Sequence, residues 1–190
     1  MIPALRSLAF TAVVLVAACQ STDGGGAAEA PAGPITRSEL GSMGNVTALG
    51  DLHMGGQPSA DDLALAKRRG FTRVINLRTE AEMQRVPFNE VALCAELGLE
   101  YVGVPVDFRV LEDDNFDLIL SLLDHRAPQG GKTLFHCASG NRVAVFVAIR
   151  RMRDDGISFA DALADAQSAG MKPSSLSTLE ANVVRLGLGE

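Results

Sequence analysis

The chain predicts an α/β fold, a mainly parallel sheet flanked by helices on both faces. Three observations carry that expectation. Short apolar, β-branched runs alternate with stretches of helical periodicity. Gly, Pro or a capping residue bounds most runs, which gives the elements the lengths usual in one domain. The connections between the central runs are long enough to cross over as helices, as parallel neighbours require, and no segment repeats.

Of 190 residues, 47% are hydrophobic and 21% charged, with a mean hydropathy of +0.16, which suits one domain with a sizeable core. The net charge of -6 and pI of about 5.1 argue against a basic face for nucleic acid or an anionic membrane surface. Residues 1–19 read as a secretory signal, with Arg6 leading and an apolar stretch from Leu8 to Ala18 that is too short to span a bilayer. Its end, Val16-Ala17-Ala18-Cys19, resembles the bacterial lipobox, which implies that Cys19 is lipidated and becomes the mature N-terminus. The lipid would be the only membrane contact. Gln20 after the Cys implies the outer membrane, so the expected place is the bacterial cell envelope, facing the periplasm. Residues 20–40, rich in Gly, Ala and Pro and including Gly24-Gly25-Gly26, predict a flexible tether, with residues 41–190 as the folded domain.

Within the domain, Asn45 to Leu49 and Leu52 to Met54 predict two short strands around the turn signal Gly50-Asp51. Ser59 and Asp62 form a capping-box pattern for a helix that stops at Gly70. Phe71 to Leu77 predicts a buried strand, with Arg78 at its C-terminal end, where open α/β sheets bind ligands. Arg78 could serve the site or tie its loop to Glu80 or Glu82. A helix over Phe88 to Leu97 ends at Gly98, and a strand over Glu100 to Val106 delivers Asp107. Asp114 to His125 carries Phe116, Ile119, Leu120 and Leu123 at helical spacing. Thr133 to Phe135 leads into a loop and a buried helix through Ile149, closed by a charge run at Arg150, Arg151 and Arg153 that predicts a solvated end. Two further helices are expected over Ser158 to Ala169 and Ser174 to Leu186.

The loop His136-Cys137-Ala138-Ser139-Gly140-Asn141-Arg142 concentrates the chemistry. At a strand-to-helix junction, the backbone N–H groups of Ala138, Ser139, Gly140 and Asn141 can cradle an anion, and the helix N-terminus adds positive potential. Arg142 can grip a tetrahedral anion through two parallel hydrogen bonds. The same field favours a thiolate at Cys137 beneath the anion it would attack. Gly140 lets the backbone approach closely. With Cys19 assigned to lipid, Cys94 and Cys137 remain; Cys94 lies in an apolar helical run and reads as core, with a resolving partnership to Cys137 as the minor alternative. No spacing supports a metal site, and no cofactor is implied.

This loop resembles the signature of cysteine-based phosphatases, and most closely the bacterial phosphatase-like family called beta-lactamase hydrolase-like. The resemblance extends to Gly56-Gln57-Pro58-Ser59, Val74-Ile75-Asn76-Leu77-Arg78 and Val104-Pro105-Val106-Asp107. It implies a cysteine-phosphatase-like fold and a small anionic or phosphoprotein substrate. It also implies Cys137 as nucleophile, Asp107 as general acid and His136 as the residue that orients the loop at the anion site. Two departures keep alternatives open. Four residues separate Cys137 from Arg142, a spacing that resembles rhodanese-type sulfurtransferases, which pass sulfur through a Cys persulfide. Val143 stands where those phosphatases carry Ser or Thr, which leaves a non-catalytic module that binds an anion or a phosphorylated partner.

Overall fold

The structure, a computed structural model, describes residues 33–109 and 113–188. The signal segment, Cys19 and most of the expected tether lie outside the described residues. The strands are β1 (Thr36–Arg37), β2 (Thr47–Leu49), β3 (Leu52–Gly55), β4 (Phe71–Asn76), β5 (Glu100–Gly103) and β6 (Lys132–His136). They form one sheet in the order β1-β2-β3-β6-β4-β5. From β3 to β5 the sheet is parallel, and β1 and β2 extend it as an antiparallel edge. The expected hairpin is present, with Leu49 opposite Leu52 and Gly50 at φ +57°. One boundary needs correcting: Thr36 and Arg37 pair with β2, and Leu40 is 1% exposed, so the fold begins before residue 41.

Among the described residues there are seven α-helices: α1 (Ala60–Arg68), α2 (Glu80–Met83), α3 (Glu90–Leu97), α4 (Asp113–Asp124), α5 (Asn141–Asp154), α6 (Phe159–Ser168) and α7 (Leu176–Arg185). The capping box on α1 is complete, since the Ser59 side chain accepts from the Asp62 N–H and the Asp62 carboxylate accepts from the Ser59 N–H. A second box, Thr79 with Glu82, starts the short α2, which was not expected from the sequence. Gly98 caps α3 in the left-handed region.

Strand pleating divides the core. Val74 of β4 and Leu134 of β6 face α1 and α3, with Leu63, Ala66 and Cys94. Ile75 and Phe135 face the other layer, where α5 is surrounded by α4, α6 and α7. That is why Val143 to Ile149 is apolar on every side, each residue at most 1% exposed. The Arg run closing α5 is more buried than expected: Arg151 pairs with Asp155 and Asp165, and Arg153 with Asp124 and Asp154. Cys94 and Cys137 are both free and belong to separate clusters on opposite faces of the sheet. No helix among the described residues is long and apolar enough to cross a membrane.

Candidate active site

β4, β5 and β6 run parallel, so their C-terminal ends meet at one edge. The Leu77 N–H donates to the His136 carbonyl and the Val106 N–H to the Leu77 carbonyl, stitching the three ends together. Beyond β6 the chain turns through Cys137 to Gly140 and enters α5. Gly140, at φ +91°, donates its N–H to Cys137 Sγ at 3.2 Å. A Cβ at Gly140 would lie 3.2 Å from the Ala169 carbonyl oxygen, so glycine is required by conformation and by space. Neighbouring segments hold the loop. The Gln57 N–H donates to the Ala138 carbonyl, and Asn45 Nδ2 to the Ser139 carbonyl. The Asn141 side chain is used internally: it donates to Ser175 Oγ and accepts from the Lys172 N–H. Cys137 is 1% exposed and forms the floor of this turn.

Arg142, on the first turn of α5, reaches back across the strand ends. Its Nη1 donates to the Leu77 and Val106 carbonyls and to Glu82 Oε2, and its Nη2 donates to Glu82 Oε1 at 2.7 Å. Glu82 therefore takes the end-on fork. The Cys137 sulfur also lies within reach of the guanidinium, and the side edge of a guanidinium, its Nε–H and one Nη2–H, has the geometry to grip a tetrahedral anion bidentately. Burial works against charge on Arg142, yet Glu82 and the Cys137 sulfur together hold it more firmly protonated than usual. Burial likewise opposes the Glu82 carboxylate, but the Arg142 guanidinium and the Thr79 N–H bring it down to about 2.

His136 lies on the opposite pleat from Cys137. It is fully buried, and its Nε2 is 2.7 Å from Glu90 Oε1. It therefore cannot touch a substrate; its place is beneath the loop. Glu90, 2% exposed, also accepts from Gln57 Nε2 at 2.8 Å, and Gln57 Oε1 accepts from Arg78 Nη1 at 2.6 Å. Burial opposes charge on Glu90, yet His136, Gln57 and Arg78 hold its titration below the ordinary glutamate range. Arg78 also donates from Nη2 to the Glu82 carbonyl, with 11% of its side chain exposed. Of the two roles open to Arg78, tying the loop to Glu82 is the one its contacts serve.

Asp107 directly follows Val106, whose carbonyl Arg142 holds. Its carboxylate is clamped by Arg109, which donates its backbone N–H to Oδ1 at 3.0 Å and Nη2 to Oδ2 at 2.5 Å. The Arg109 side chain, its backbone N–H and more distantly Arg142 depress Asp107 to about 2 despite slight desolvation. In this arrangement Asp107 is an ionised carboxylate. A cavity of about 600 Å³ lies elsewhere, at the opposite ends of β3 and β6 beside Asp51, Thr133 and Arg150.

The family model for the phosphatase-like domain of beta-lactamase hydrolase-like protein matches residues 45–153, a stretch that contains every group described above except Lys172, Ser175 and Ala169. The chain belongs to that family. Two curated beta-lactamase hydrolase-like proteins, from Xylella fastidiosa strains Temecula1 and 9a5c, are each 31% identical over 105 residues, 54% of this chain and 24% of theirs. The phosphatase-like chain thus spans about a quarter of the relatives' length. Among solved structures, a DUF442 protein from Shewanella putrefaciens CN-32 aligns with a TM-score of 0.63 at 20% identity, covering 80% of this chain and 97% of that one. TpbA of P. aeruginosa aligns at 0.62 and 20%, covering 80% and 89%. A Cys-to-Ser variant of TpbA in complex with pTyr aligns at 0.61 and 19%, covering 80% and 94%. These likenesses show a shared fold.

Sequence reasoning missed Glu82, Glu90 and Gln57 as members of the site. Glu82 carried a signal, the capping pattern Thr79-x-x-Glu82 directly after Arg78. Glu90 carried only a weak one, an acidic residue in the first turn of a helix, and nothing in the sequence says that it is buried.

Proposed function

We propose that the chain hydrolyses phosphate monoesters through Cys137. One observation carries this: Cys137 Sγ receives the Gly140 N–H at the start of α5, while Glu82 braces Arg142 beside it. The thiolate forms an S–P bond as the ester P–O bond breaks, and Asp107 in its acid form gives a proton to the departing oxygen. Water then attacks phosphorus and passes its proton to the Asp107 carboxylate; the S–P electron pair returns to sulfur and inorganic phosphate leaves. Arg142 and the backbone N–H groups of Ala138 to Asn141 stabilise the charge on the phosphoryl oxygens. The pTyr complex of TpbA, with the same fold, supports a phosphorylated aromatic ester as the substrate class.

A second reading, sulfur transfer through a Cys137 persulfide, is favoured by the four-residue spacing to Arg142, and that transfer has less need of an acid at Asp107. Mass spectrometry after brief exposure of the purified protein to an aryl phosphate and, separately, to thiosulfate decides between them, with Cys137→Ser as control. A phosphate adduct or aryl alcohol release supports the phosphatase; a sulfur adduct without turnover overturns it. We further propose lipid attachment at Cys19 and an envelope location facing the periplasm; labelled palmitate that still enters a Cys19→Ser variant would refute the attachment.

A further inference from the structure

The contacts around Cys137 close into a ring. From Arg142 the hydrogen bonds lead to Glu82, from the Glu82 carbonyl to Arg78, from Arg78 to Gln57, from Gln57 to Glu90 and from Glu90 to His136, which is bonded through its own carbonyl carbon to Cys137. The charged members alternate in sign, with Arg142 and Arg78 positive and Glu82 and Glu90 negative. Gln57 is the neutral link between the two halves. Its orientation is fixed without any choice about the amide: Arg78 can only donate and the Glu90 carboxylate can only accept, so Oε1 must face Arg78 and Nε2 must face Glu90.

We propose that Gln57 is a positioning residue that couples the His136–Glu90 pair beneath the nucleophile to the Arg78–Glu82–Arg142 brace that aims the anion-binding guanidinium. The inference rests on the reading of Cys137 and Arg142 as an anion-processing pair. Gln57 acts through both ends of its residue. Its backbone N–H holds the Ala138 carbonyl inside the loop at 3.3 Å, while its side chain joins Glu90 at 2.8 Å to Arg78 at 2.6 Å. Without the amide, a carboxylate 2% exposed and a guanidinium whose side chain is 11% exposed each lose a partner they cannot replace from solvent. His136 and Arg142 then relax independently, and the loop between them loses its two fixed ends.

The test compares wild type, Gln57→Leu and Gln57→Glu as full-length protein. It reads the alkylation rate of Cys137 by iodoacetamide, mapped by peptide mass, the protection of that thiol by inorganic phosphate, and aryl phosphate turnover. Gln57→Leu removes both polar contacts; it should slow alkylation and weaken phosphate protection together, each by about tenfold. Gln57→Glu supplies its own control. Protonated, its hydroxyl can donate to Glu90 and its carbonyl accept from Arg78, as the amide does; ionised, it sets a second carboxylate against Glu90. The charged groups it meets are Arg78 at the end of β4 and Glu90 on α3, and Glu90 in turn faces His136 of β6, Cys94 of its own helix and Tyr101 of β5, so the variant should regain wild-type phosphate protection as pH falls and lose it as pH rises. A folded Gln57→Leu that leaves alkylation and protection unchanged, or moves only one of them, overturns the coupling. If the Leu variant does not fold, a Glu variant with no recovery at low pH overturns it equally. Wild type that shows neither phosphate protection nor turnover would instead overturn the reading of the site, while the alkylation rates still report on the coupling.

Discussion

Replacing Glu82 with Gln isolates the charge that anchors Arg142. The amide keeps one acceptor for the guanidinium and for Thr79, so the loss is electrostatic. In the fold the Glu82 carboxyl titrates near 2, against an ordinary 4.5, because Arg142 outweighs the cost of burial. At about 1.4 kcal/mol per pH unit that difference is at most ~3.5 kcal/mol. The Glu82 side chain is 28% exposed and Arg142 13%. Solvent screening therefore reduces the figure to about 1–2 kcal/mol, between the values for surface and buried pairs. For a domain of this size the expected fall in Tm at pH 7 is about 3–6 °C. The sign with pH follows from the direction: a depressed carboxyl contributes its full stability above 4.5 and loses it as pH falls toward 2. Urea unfolding of wild type and Glu82→Gln at pH 7 and pH 3 should thus show a gap that narrows on acidification. A gap equal at both pH values, or wider at pH 3, would refute the assignment of that stability to the Arg142–Glu82 pair.

Arg109→Ala removes the clamp that keeps Asp107 ionised near 2. If Asp107 is the general acid, its protonated fraction at a fixed pH above 4 rises, so the descending limb of kcat against pH should move upward, with about tenfold more turnover near pH 5.5; a limb that stays in place refutes the acid role. Gly140→Ala forces a side chain into φ +91° and against the Ala169 carbonyl. It should cost about 1–2 kcal/mol in chemical denaturation and lower turnover at least tenfold, in proportion to the misplaced N–H on Cys137. Cys94 has a thiol pushed up to about 12, by burial first and by Glu90 second. In native protein at pH 8, iodoacetamide should label Cys137 and spare Cys94 in peptide maps, and the two should label alike only after unfolding.

How much of this was legible in the sequence differs by element. The helix starts were, because a cap is local: Ser59 and Asp62 lie three residues apart and must meet once the helix forms. The buried strand over Phe71 to Asn76 and the all-apolar face of α5 were legible because burial leaves a composition that no solvent-facing element can carry. The Arg run was misread for the opposite reason. Arg151 finds its buried partner Asp165 on α6, and nothing local reports which helix packs there.

The signature loop and its place at a strand-to-helix junction were set by the sequence itself, since Cys137, Gly140 and Arg142 lie within one turn of chain and need only local geometry to meet. Their support was decided by the tertiary structure. The insertion of β6 between β3 and β4 brings Gly55, Gln57 and Leu77 to either side of the loop. The pleat then sends His136 to the α3 face and Cys137 to the α5 face. Glu82 and Glu90 stand 60 and 46 positions from the residues they hold. A contact over that distance depends on strand order and on which face each side chain takes, and both are fixed only when the whole sheet closes and burial of its two apolar faces selects one arrangement.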